Sequence, residues 1–420
     1  MVYYVQLNLL KDWRKIKMNK YLITLTPIDK FFFGGELTFT RSKRENIDKQ
    51  RKDLNDAEDK ELKSFDESFS SYFVRSRQFP QQTSLLGMLR FTFLSANKKA
   101  FKNGEIIDKQ ETIDTIGAES FKVDKDTTFG KIKKIYPCFL RRKTEGGDWE
   151  NLMIAPMDSK LSIAFDKGDA LLDDKKTKLP NIMGYNPKDG LTSCFIGSNV
   201  ALETGKLFTE DIRIGIDRNY DGKPNDGAFY KQISYRLSDK YEFEKDGAKT
   251  EEKHKLCFAF YADLDNGLLE QIVTLGGDNS RFKLTCELKE GGIQLPESYH
   301  PKEFDGYEGK VVLLSDAFID QDTMKNCLFS INETVPFRFL KSTVETTVGY
   351  NKFSSADKDN PTHLRRSDQK FNLYKTGSVF YFDTIEGMTD FTTAMENKKR
   401  FRQIGYNYYE KFPKQNNNNK

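Results

Sequence analysis

Short stretches of the chain alternate between apolar and polar residues, which is the period of a β-strand with one buried face. The clearest stretch is 229–237, where Ile233, Tyr235 and Leu237 fall on one face. The opposite face can contact a ligand, and it carries Tyr230, Gln232, Ser234 and Arg236. Other apolar runs predict strands at 21–26, 131–142, 160–165, 256–262, 282–288, 311–314 and 378–382.

Three stretches predict helices. Thr83 or Ser84 supplies a hydroxyl N-cap ahead of an apolar run that reaches Leu94. A second helix is predicted over 264–274, between two predicted strands, and a third around 388–396. Strand–helix–strand order therefore occurs twice, with long hairpin regions between the pieces. This pattern predicts an α+β fold with two half-domains rather than one doubly wound sheet.

Two segments are too polar to form a core. Residues 41–69 hold eight basic and nine acidic residues with widely spaced apolar positions, which is typical of a solvated helix or a mobile insertion. Residues 415–420 are rich in asparagine and are expected to be disordered. Both segments are expected to decorate the folded units.

Length and charge narrow the functional classes. A chain of 420 residues is long enough for two or three compact units. Lys and Arg total 67 against 63 Asp and Glu, a formal charge of +4, so the surface as a whole is not polycationic. Any affinity for nucleic acid must come from local patches.

Cysteine and apolar content indicate the compartment. The five cysteines form no C-x-x-C pair, which argues against a zinc knuckle and a dithiol redox site. The longest apolar run, 256–262, is far shorter than the roughly 18 residues of a membrane span. In residues 1–17 the basic residues follow the apolar ones, the reverse of a signal peptide, and Met18 is an alternative start. The sequence predicts a cytoplasmic protein that has no membrane partner.

The usual catalytic motifs are absent. The three histidines, His254, His300 and His363, are far apart, and no H-E-x-x-H, Walker A or G-x-S-x-G motif occurs. We therefore expect no catalytic, cofactor-binding or metal-binding residues, while an acid or base built from distant residues stays open.

Residues 217–228 begin like a calcium loop, but they do not complete it. Ala228 replaces the bidentate glutamate, and Pro224 interrupts the loop. A tight turn at Asp221 and Gly222 fits the segment better. Such a turn exposes two arginines, and a structural loop and an RNA contact both stay open for them: Arg213 and Arg218.

Basic segments, most of them with an aromatic residue, recur at 72–77, 131–143, 364–366 and 398–402. Single RNA strands are held by phosphate neutralisation together with base stacking. One basic run is usually a solvated surface, so the RNA-binding hypothesis depends on their number. Gly276 and Gly277, followed by Arg281, fit either a phosphate-binding loop or a helix C-cap.

Taken in order, these segments resemble the RAMP superfamily, and most closely the third subunit of the Cmr module of type III-B CRISPR effectors. The common order of five landmarks carries the resemblance over about 18–410. They are 25–27 with 32–34; 80–90; 213–218 with Tyr230; 275–278 with Arg281; and 364–366 with 377–382. The segment 41–69, the asparagine-rich end and residues 348–351 depart from the family pattern, so no contact is assigned to Tyr350.

The resemblance implies tandem ferredoxin-like (RRM-like) RAMP domains with long insertions. It places an N-terminal domain at 18–200, which contains the insertion 41–69, and a C-terminal domain at 201–410. A disordered tail is expected at 411–420.

The resemblance also implies a non-catalytic subunit that captures the repeat-derived 5′ tag of the CRISPR RNA (crRNA). Its implied protein partners are the large polymerase-like subunit and the adjacent backbone RAMP subunit, and it meets target RNA only through the complex. The candidate RNA-binding residues are Arg75, Arg77, Ser84, Arg90, Arg213, Arg218, Tyr230, Gly276, Gly277, Arg281, Arg365 and Arg366.

Two alternatives stay open. One is a RAMP endoribonuclease that processes the crRNA precursor without metal, which the scarcity of histidine disfavours. The other is a scaffold that only bridges proteins, which the clustered arginines disfavour.

Overall fold

Strands dominate the computed structural model, as the alternating pattern predicts, and the α+β class is confirmed. The helices are α1 Gln82–Ala96, α2 Lys109–Ile116, α3 Thr204–Leu207, α4 Gln321–Met324, α5 Ile385–Asn397 and α6 Lys399–Gln403. The strands are β1 Asn19–Pro27, β2 Tyr72–Arg75, β3 Phe101–Lys102, β4 Glu105–Ile106, β5 Ile132–Ile135, β6 Phe139–Thr144, β7 Trp149–Ile154, β8 Ser162–Phe165, β9 Pro180–Met183, β10 Cys194–Ile196, β11 Ala201–Glu203, β12 Phe208–Arg218, β13 Pro224–Leu237, β14 Lys240–Lys245, β15 Ala248–Leu264, β16 Gln271–Thr274, β17 Arg281–Leu288, β18 Gly309–Leu313, β19 Phe329–Ile331, β20 Thr334–Phe337, β21 Leu340–Lys341, β22 Arg365–Arg366, β23 Phe371–Tyr374, β24 Val379–Phe382 and β25 Tyr409–Pro413.

The structure describes residues 19–34, 72–165, 180–186, 191, 194–198, 200–218, 220–222, 224–245, 248–299, 307–341, 365–366 and 369–414. The predicted insertion 41–69 and the segments 348–351 and 415–420 lie outside these residues. Within the described part of the chain, no helix is both long and apolar enough to cross a bilayer.

A ten-stranded sheet forms the centre of the molecule. Its order is β11-β10-β7-β6-β15-β1-β17-β16, and β5 and β14 also pair with β15. β1 lies antiparallel between β15 and β17, with Leu22 opposite both Tyr261 and Glu287. Because β15 lies between β6 and β1, strands from the two sides of the predicted boundary at residue 200 share this sheet.

Helix α1 covers one face of the central sheet. Its apolar side shares a core with Ile23 and Phe258 of β1 and β15, and includes Leu85, Leu89 and Phe93. The N-cap predicted at Thr83 or Ser84 is wrong. The helix begins at Gln82, because the carbonyl of Gln81 already accepts the amide hydrogens of residues 84 and 85.

The other face of the central sheet packs against a four-stranded sheet of order β19-β24-β18-β25. Leu22 and Tyr261 share a core cluster with Val312 and Tyr381 of this second sheet. Helix α5, which the sequence predicts around 388–396, covers the far side of the second sheet. The two sheets are therefore layered between α1 and α5.

The helix predicted over 264–274 is wrong. β15 continues to Leu264, and Gln271–Thr274 forms β16, which pairs with β17. Val273 is buried and Ile272 is 64% exposed, which is the alternation of an edge strand. The β-branched run in β16 favours this conformation. The second predicted strand–helix–strand unit is therefore three consecutive strands.

Two smaller predictions also change. The stretch 131–142 forms two strands, β5 and β6, because Pro137 between them has no amide hydrogen to donate. The tail predicted at 411–420 begins too early, because residues 411–413 complete β25 against β18.

Candidate nucleic-acid interface

The β12–β13 hairpin carries three of the predicted RNA-binding residues. Residues directly opposite each other in an antiparallel ladder share a face. Arg213 lies opposite Gln232, and Gly215 lies opposite Tyr230. These four residues form one surface, the Arg213 face. The third predicted residue, Arg218, is exposed at the end of β12, next to the predicted turn, where Gly222 has φ +79°.

Tyr230 lies flat against its own hairpin. A Cβ atom built on Gly215 would come within 2.3 Å of the Tyr230 ring, so only glycine leaves room for this arrangement. The ring is half-buried. Gly215 therefore holds an aromatic surface next to Arg213, where a base can stack.

The turn that contains Gly276 and Gly277 borders the Arg213 face. The Gln232 side-chain amide donates to the carboxylate of Asp278 in this turn. Arg281 follows as the first residue of β17, and its side chain is exposed. The structure thus brings Arg213 and Tyr230 next to residues 276–281, as the sequence hypothesis requires.

The backbone of this turn has a structural role that the sequence does not reveal. The amide of Gly277 donates to the carbonyl of Phe32 at 2.7 Å, and Ser280 Oγ accepts from the amide of Phe32 at 2.9 Å. The turn also joins two strands, so the helix C-cap interpretation is wrong. Because its amide is already bonded, Gly277 cannot offer that hydrogen to a phosphate. Of the two glycines, only Gly276 has a positive φ, +92°.

Gly276→Ala is expected to destabilise the protein more than Gly277→Ala. A Cβ atom on Gly276 would lie 2.3 Å from the Phe32 carbonyl oxygen, and alanine would also have to adopt the left-handed backbone conformation. Together these two effects are expected to lower the free energy of unfolding by more than about 1 kcal/mol. The nearest neighbour of a Cβ atom on Gly277 would be the Phe32 ring, at 3.0 Å, and the Phe32 carbonyl oxygen would be 3.8 Å away. Thermal unfolding of both variants measures the difference, and equal midpoints would contradict this assignment.

Acidic side chains near the Arg213 face are already paired with cations. Asp211 accepts from Lys30 Nζ at 2.5 Å and from Arg236 Nη2 at 3.0 Å, and these hydrogen bonds lower the pKa of its carboxyl group. Arg236 also contacts Asp29. Among the described residues, no carboxylate pairs with three exposed arginines, Arg213, Arg218 and Arg281. Their charge is available to an external anion.

The other predicted residues lie elsewhere. Arg75 pairs with Glu210 at 2.6 Å on the opposite face of the hairpin sheet, and Arg77 donates to the carbonyl of Pro336 at 3.0 Å. Ser84 is half-buried in the first turn of α1. The backbones of Arg365 and Arg366 pair with β21.

Arg90, which the sequence hypothesis assigns to RNA binding, lies outside the interface. Its side chain is 8% exposed and donates to the carbonyls of Ile116 and Gly117, at 2.9 and 3.4 Å. Burial lowers its pKa to about 10, so the guanidinium stays charged at neutral pH. Arg90 therefore connects α1 to the end of α2 and cannot reach RNA.

The hairpin exposes apolar residues that are not among the candidates predicted from the sequence. Ile212, Ile214 and Ile216 are 52%, 60% and 47% exposed on the face opposite Arg213, and we call them the isoleucine stripe. Tyr220 at the turn is fully exposed. The alternation of isoleucine in 212–216 is the signal that could have identified this stripe.

Two titratable groups in the core, Cys257 and His254, have pKa values that burial shifts. Burial raises the pKa of Cys257 to about 12, and burial also lowers the pKa of His254, which lies against Arg142. No cluster of three or more metal-ligating side chains occurs in the part of the chain that the structure describes.

Comparisons with known proteins identify the family. The chain matches the family model described as "CRISPR-associated protein (Cas_Cmr3)" over residues 60–409. No curated protein matches it. Among solved structures it resembles a chain from a cryo-electron microscopy structure of the type III-B Cmr-beta complex bound to cognate target RNA. The identity is 13%, the alignment covers 93% of this chain and 96% of that chain, and the TM-score is 0.43. Since the family match spans most of its length, the chain belongs to the CRISPR-associated Cas_Cmr3 family, which confirms the resemblance to the third subunit of the Cmr module.

Proposed function

We propose that this protein is a non-catalytic RNA-binding subunit of a Cmr effector complex and that its Arg213 face holds the 5′ tag of the crRNA. The observation that carries this proposal is the group of exposed arginines, Arg213, Arg218 and Arg281, which have no carboxylate partner among the described residues. Because the chain belongs to the Cas_Cmr3 family, we assign RNA as the anion that these arginines bind.

The arrangement suits a single strand. Arg213 lies opposite Gln232 in the hairpin, and Arg281 follows three residues after Asp278, the residue that Gln232 contacts. We assign a phosphate of the strand to each of these two arginines. Tyr230 offers its ring to a base on the same face. The Gln232 amide and the Asp278 carboxylate supply hydrogen-bonding groups for a base edge.

The strand order supports the finer fold that the family implies, tandem ferredoxin-like units. In the first unit, β5, β15, β1 and β17 lie side by side, and α1 follows β1 in the chain. In the second unit, the chain order β18-α4-β19-β24-α5-β25 gives the sheet order β19-β24-β18-β25 with antiparallel neighbours. Both units have the order of a β-α-β-β-α-β fold, with β16 in place of the second helix in the first unit. We place their boundary between β17 and β18 instead of at residue 200.

The isoleucine stripe supports a bridging role. Three exposed isoleucines on one hairpin face are typical of a surface that a protein covers. The adjacent backbone RAMP subunit is the neighbour we assign to it, and the large polymerase-like subunit contacts another surface. The hairpin would then separate a protein-binding face from an RNA-binding face.

Ile214→Glu is expected to weaken the association with the backbone subunit and to leave tag binding intact. Burial of an isoleucine contributes about 1.5–3 kcal/mol, roughly tenfold or more in affinity. Ile272→Glu is a matched control, because Ile272 is equally exposed on a different edge strand. Copurification with the backbone subunit measures the effect, and equal yields from both variants would contradict this docking face.

The function is tested by native purification of the protein, followed by sequencing of bound RNA and mass spectrometry of bound proteins. We expect crRNA with its 5′ tag and the other Cmr subunits. Incubation of the pure protein with crRNA precursor, with and without Mg²⁺, is expected to give no cleavage. Defined cleavage products would support the endoribonuclease alternative instead.

A further inference from the structure

A second group of cations lies on the central sheet, away from the Arg213 face. Lys143 of β6 lies directly opposite Lys255 of β15 on one side and opposite Trp149 of β7 on the other. Arg141 lies two residues before Lys143 on the same face of β6. We call these four residues the Trp149 patch.

The two lysines repel each other. Like charges directly opposite in an antiparallel ladder destabilise the sheet, whereas a pair of opposite charges there stabilises it. No ion pair joins Arg141, Lys143 or Lys255 to a carboxylate among the described residues. Lys255 is exposed and Lys143 is half-exposed, so an anion from outside can reach both.

Arg142, on the opposite face of the same strand, shows the contrast. It is 3% exposed and pairs with both Glu150 and Glu252. The fold therefore supplies two carboxylates to the buried arginine of this basic run. Among the described residues, no carboxylate pairs with the cations on the other face.

Arg141 and Trp149 form the aromatic part of the patch. The Arg141 guanidinium lies over the Trp149 ring, 5.3 Å from its centroid. Arg141 Nε is buried and has no hydrogen-bond partner. Trp149 is 38% exposed, which leaves part of the indole open to a second planar group. An unsatisfied donor, two facing lysines and a partly open indole are thus within one patch.

We propose that the Trp149 patch is a second contact site for single-stranded RNA, outside the tag-binding surface. A phosphate lies between Lys143 and Lys255, and a base stacks on Trp149. The carboxylates of an acidic protein segment would pair with the lysines, but they would not stack on the exposed indole. A nucleotide supplies both a phosphate for the lysines and a base for the indole, so the patch favours a nucleotide. This proposal rests on the proposed RNA-binding function and extends it to a second surface.

The fluorescence of Trp149 can be used to detect RNA binding at the patch. Trp13 and Trp149 are the two tryptophans of the chain, so a Trp13→Phe protein emits from Trp149 alone. Titration of this full-length protein with oligouridine that lacks the tag sequence is expected to quench the emission saturably. Lys143→Ala/Lys255→Ala is expected to bind oligouridine roughly 25-fold more weakly at 0.1 M salt and to lower the salt slope by about 1.4.

Lys255→Glu separates binding from folding. It places a carboxylate opposite Lys143, so its melting temperature is expected to rise while its oligouridine affinity falls. A fall of both would indicate a merely structural effect and overturn the proposal.

Further outcomes separate this proposal from the function it rests on. Normal binding of tag RNA without any change in Trp149 emission by oligouridine would overturn the patch and leave the proposed function standing. Failure to bind either RNA would overturn both. Loss of copurifying subunits by Lys143→Ala/Lys255→Ala, with unchanged RNA affinity, would assign the patch to an acidic protein partner and also overturn the proposal.

Discussion

Asp158→Asn is expected to destabilise the protein by about 3–5 kcal/mol, because it removes the carboxylate from a buried ion pair. Lys310 Nζ lies 2.7 Å from Asp158 Oδ2, and Lys310 is only 2% exposed. Tyr381 also donates to the same oxygen, at 2.6 Å. Burial and the charge of Asp158 raise the pKa of Tyr381, so its hydroxyl stays protonated and donates. The variant removes the negative charge of Asp158 from beside the buried Lys310 ammonium.

This ion pair joins the two sheets. Asp158 follows β7 of the central sheet, whereas Lys310 and Tyr381 belong to β18 and β24 of the second sheet. Its loss is therefore expected to loosen the packing between the sheets as well as to lower stability. Residues of the Arg213 face lie on the hairpin and keep their local contacts.

Two controls define the measurement, which is chemical denaturation of the variants. Replacing both partners, Asp158→Leu with Lys310→Met, is expected to recover most of the stability, because neither charge of this pair is then left buried. Asp322→Asn breaks an exposed pair of similar length with Lys325, 2.6 Å, and is expected to cost less than about 1 kcal/mol. Equal losses for Asp158→Asn and Asp322→Asn would show that burial does not decide the effect.

Combined replacement of Arg213, Arg218 and Arg281 by alanine is expected to lower affinity for tag RNA roughly 100-fold at 0.1 M salt. Each phosphate contact on a single strand contributes about 0.7 to the salt slope, or about fivefold in affinity at that salt concentration. The slope is therefore expected to fall by about 2. Fluorescence anisotropy over a series of salt concentrations measures both quantities.

Arg90→Leu and Arg75→Ala are informative comparisons for this variant. Arg90 is buried, so its replacement is expected to lower stability without a change in the salt slope of the folded protein. Arg75 is engaged with Glu210 on the opposite face of the hairpin sheet. The triple variant could keep its salt slope while Arg75→Ala lowers the slope by about 0.7, the value of one phosphate contact. That result would place the RNA on the opposite face, contrary to our assignment.

Local pattern predicts the strands where alternation and strand-forming residues coincide, as in 229–237 and 282–288. It fails at 264–274, because Leu264, Leu268 and Ile272 recur at helical spacing. The pairing of β16 with β17 decides the conformation there, and that pairing is not visible in a local pattern. Tertiary contacts likewise place β15 between strands from the first half of the chain.

The candidate site follows the same division. Arg213 and Arg218 could be selected from the sequence, because alternation and the turn place them on an exposed hairpin. The sequence gives no reason to exclude Arg90 from the RNA-binding site, because the carbonyl groups that accept its hydrogen bonds lie at the end of another helix, α2. The bond from Gly277 to Phe32 joins segments far apart in the chain, so the amide appears free when the sequence alone is considered.

Photo-crosslinking of the assembled complex tests the central claim most directly. The crRNA carries 4-thiouridine in its 5′ tag, and the crosslinked peptides are identified by mass spectrometry. We predict crosslinks to peptides that contain Tyr230 and residues 276–281. Crosslinks confined to other surfaces of this subunit, or to neighbouring subunits alone, would contradict the assignment of the tag to the Arg213 face.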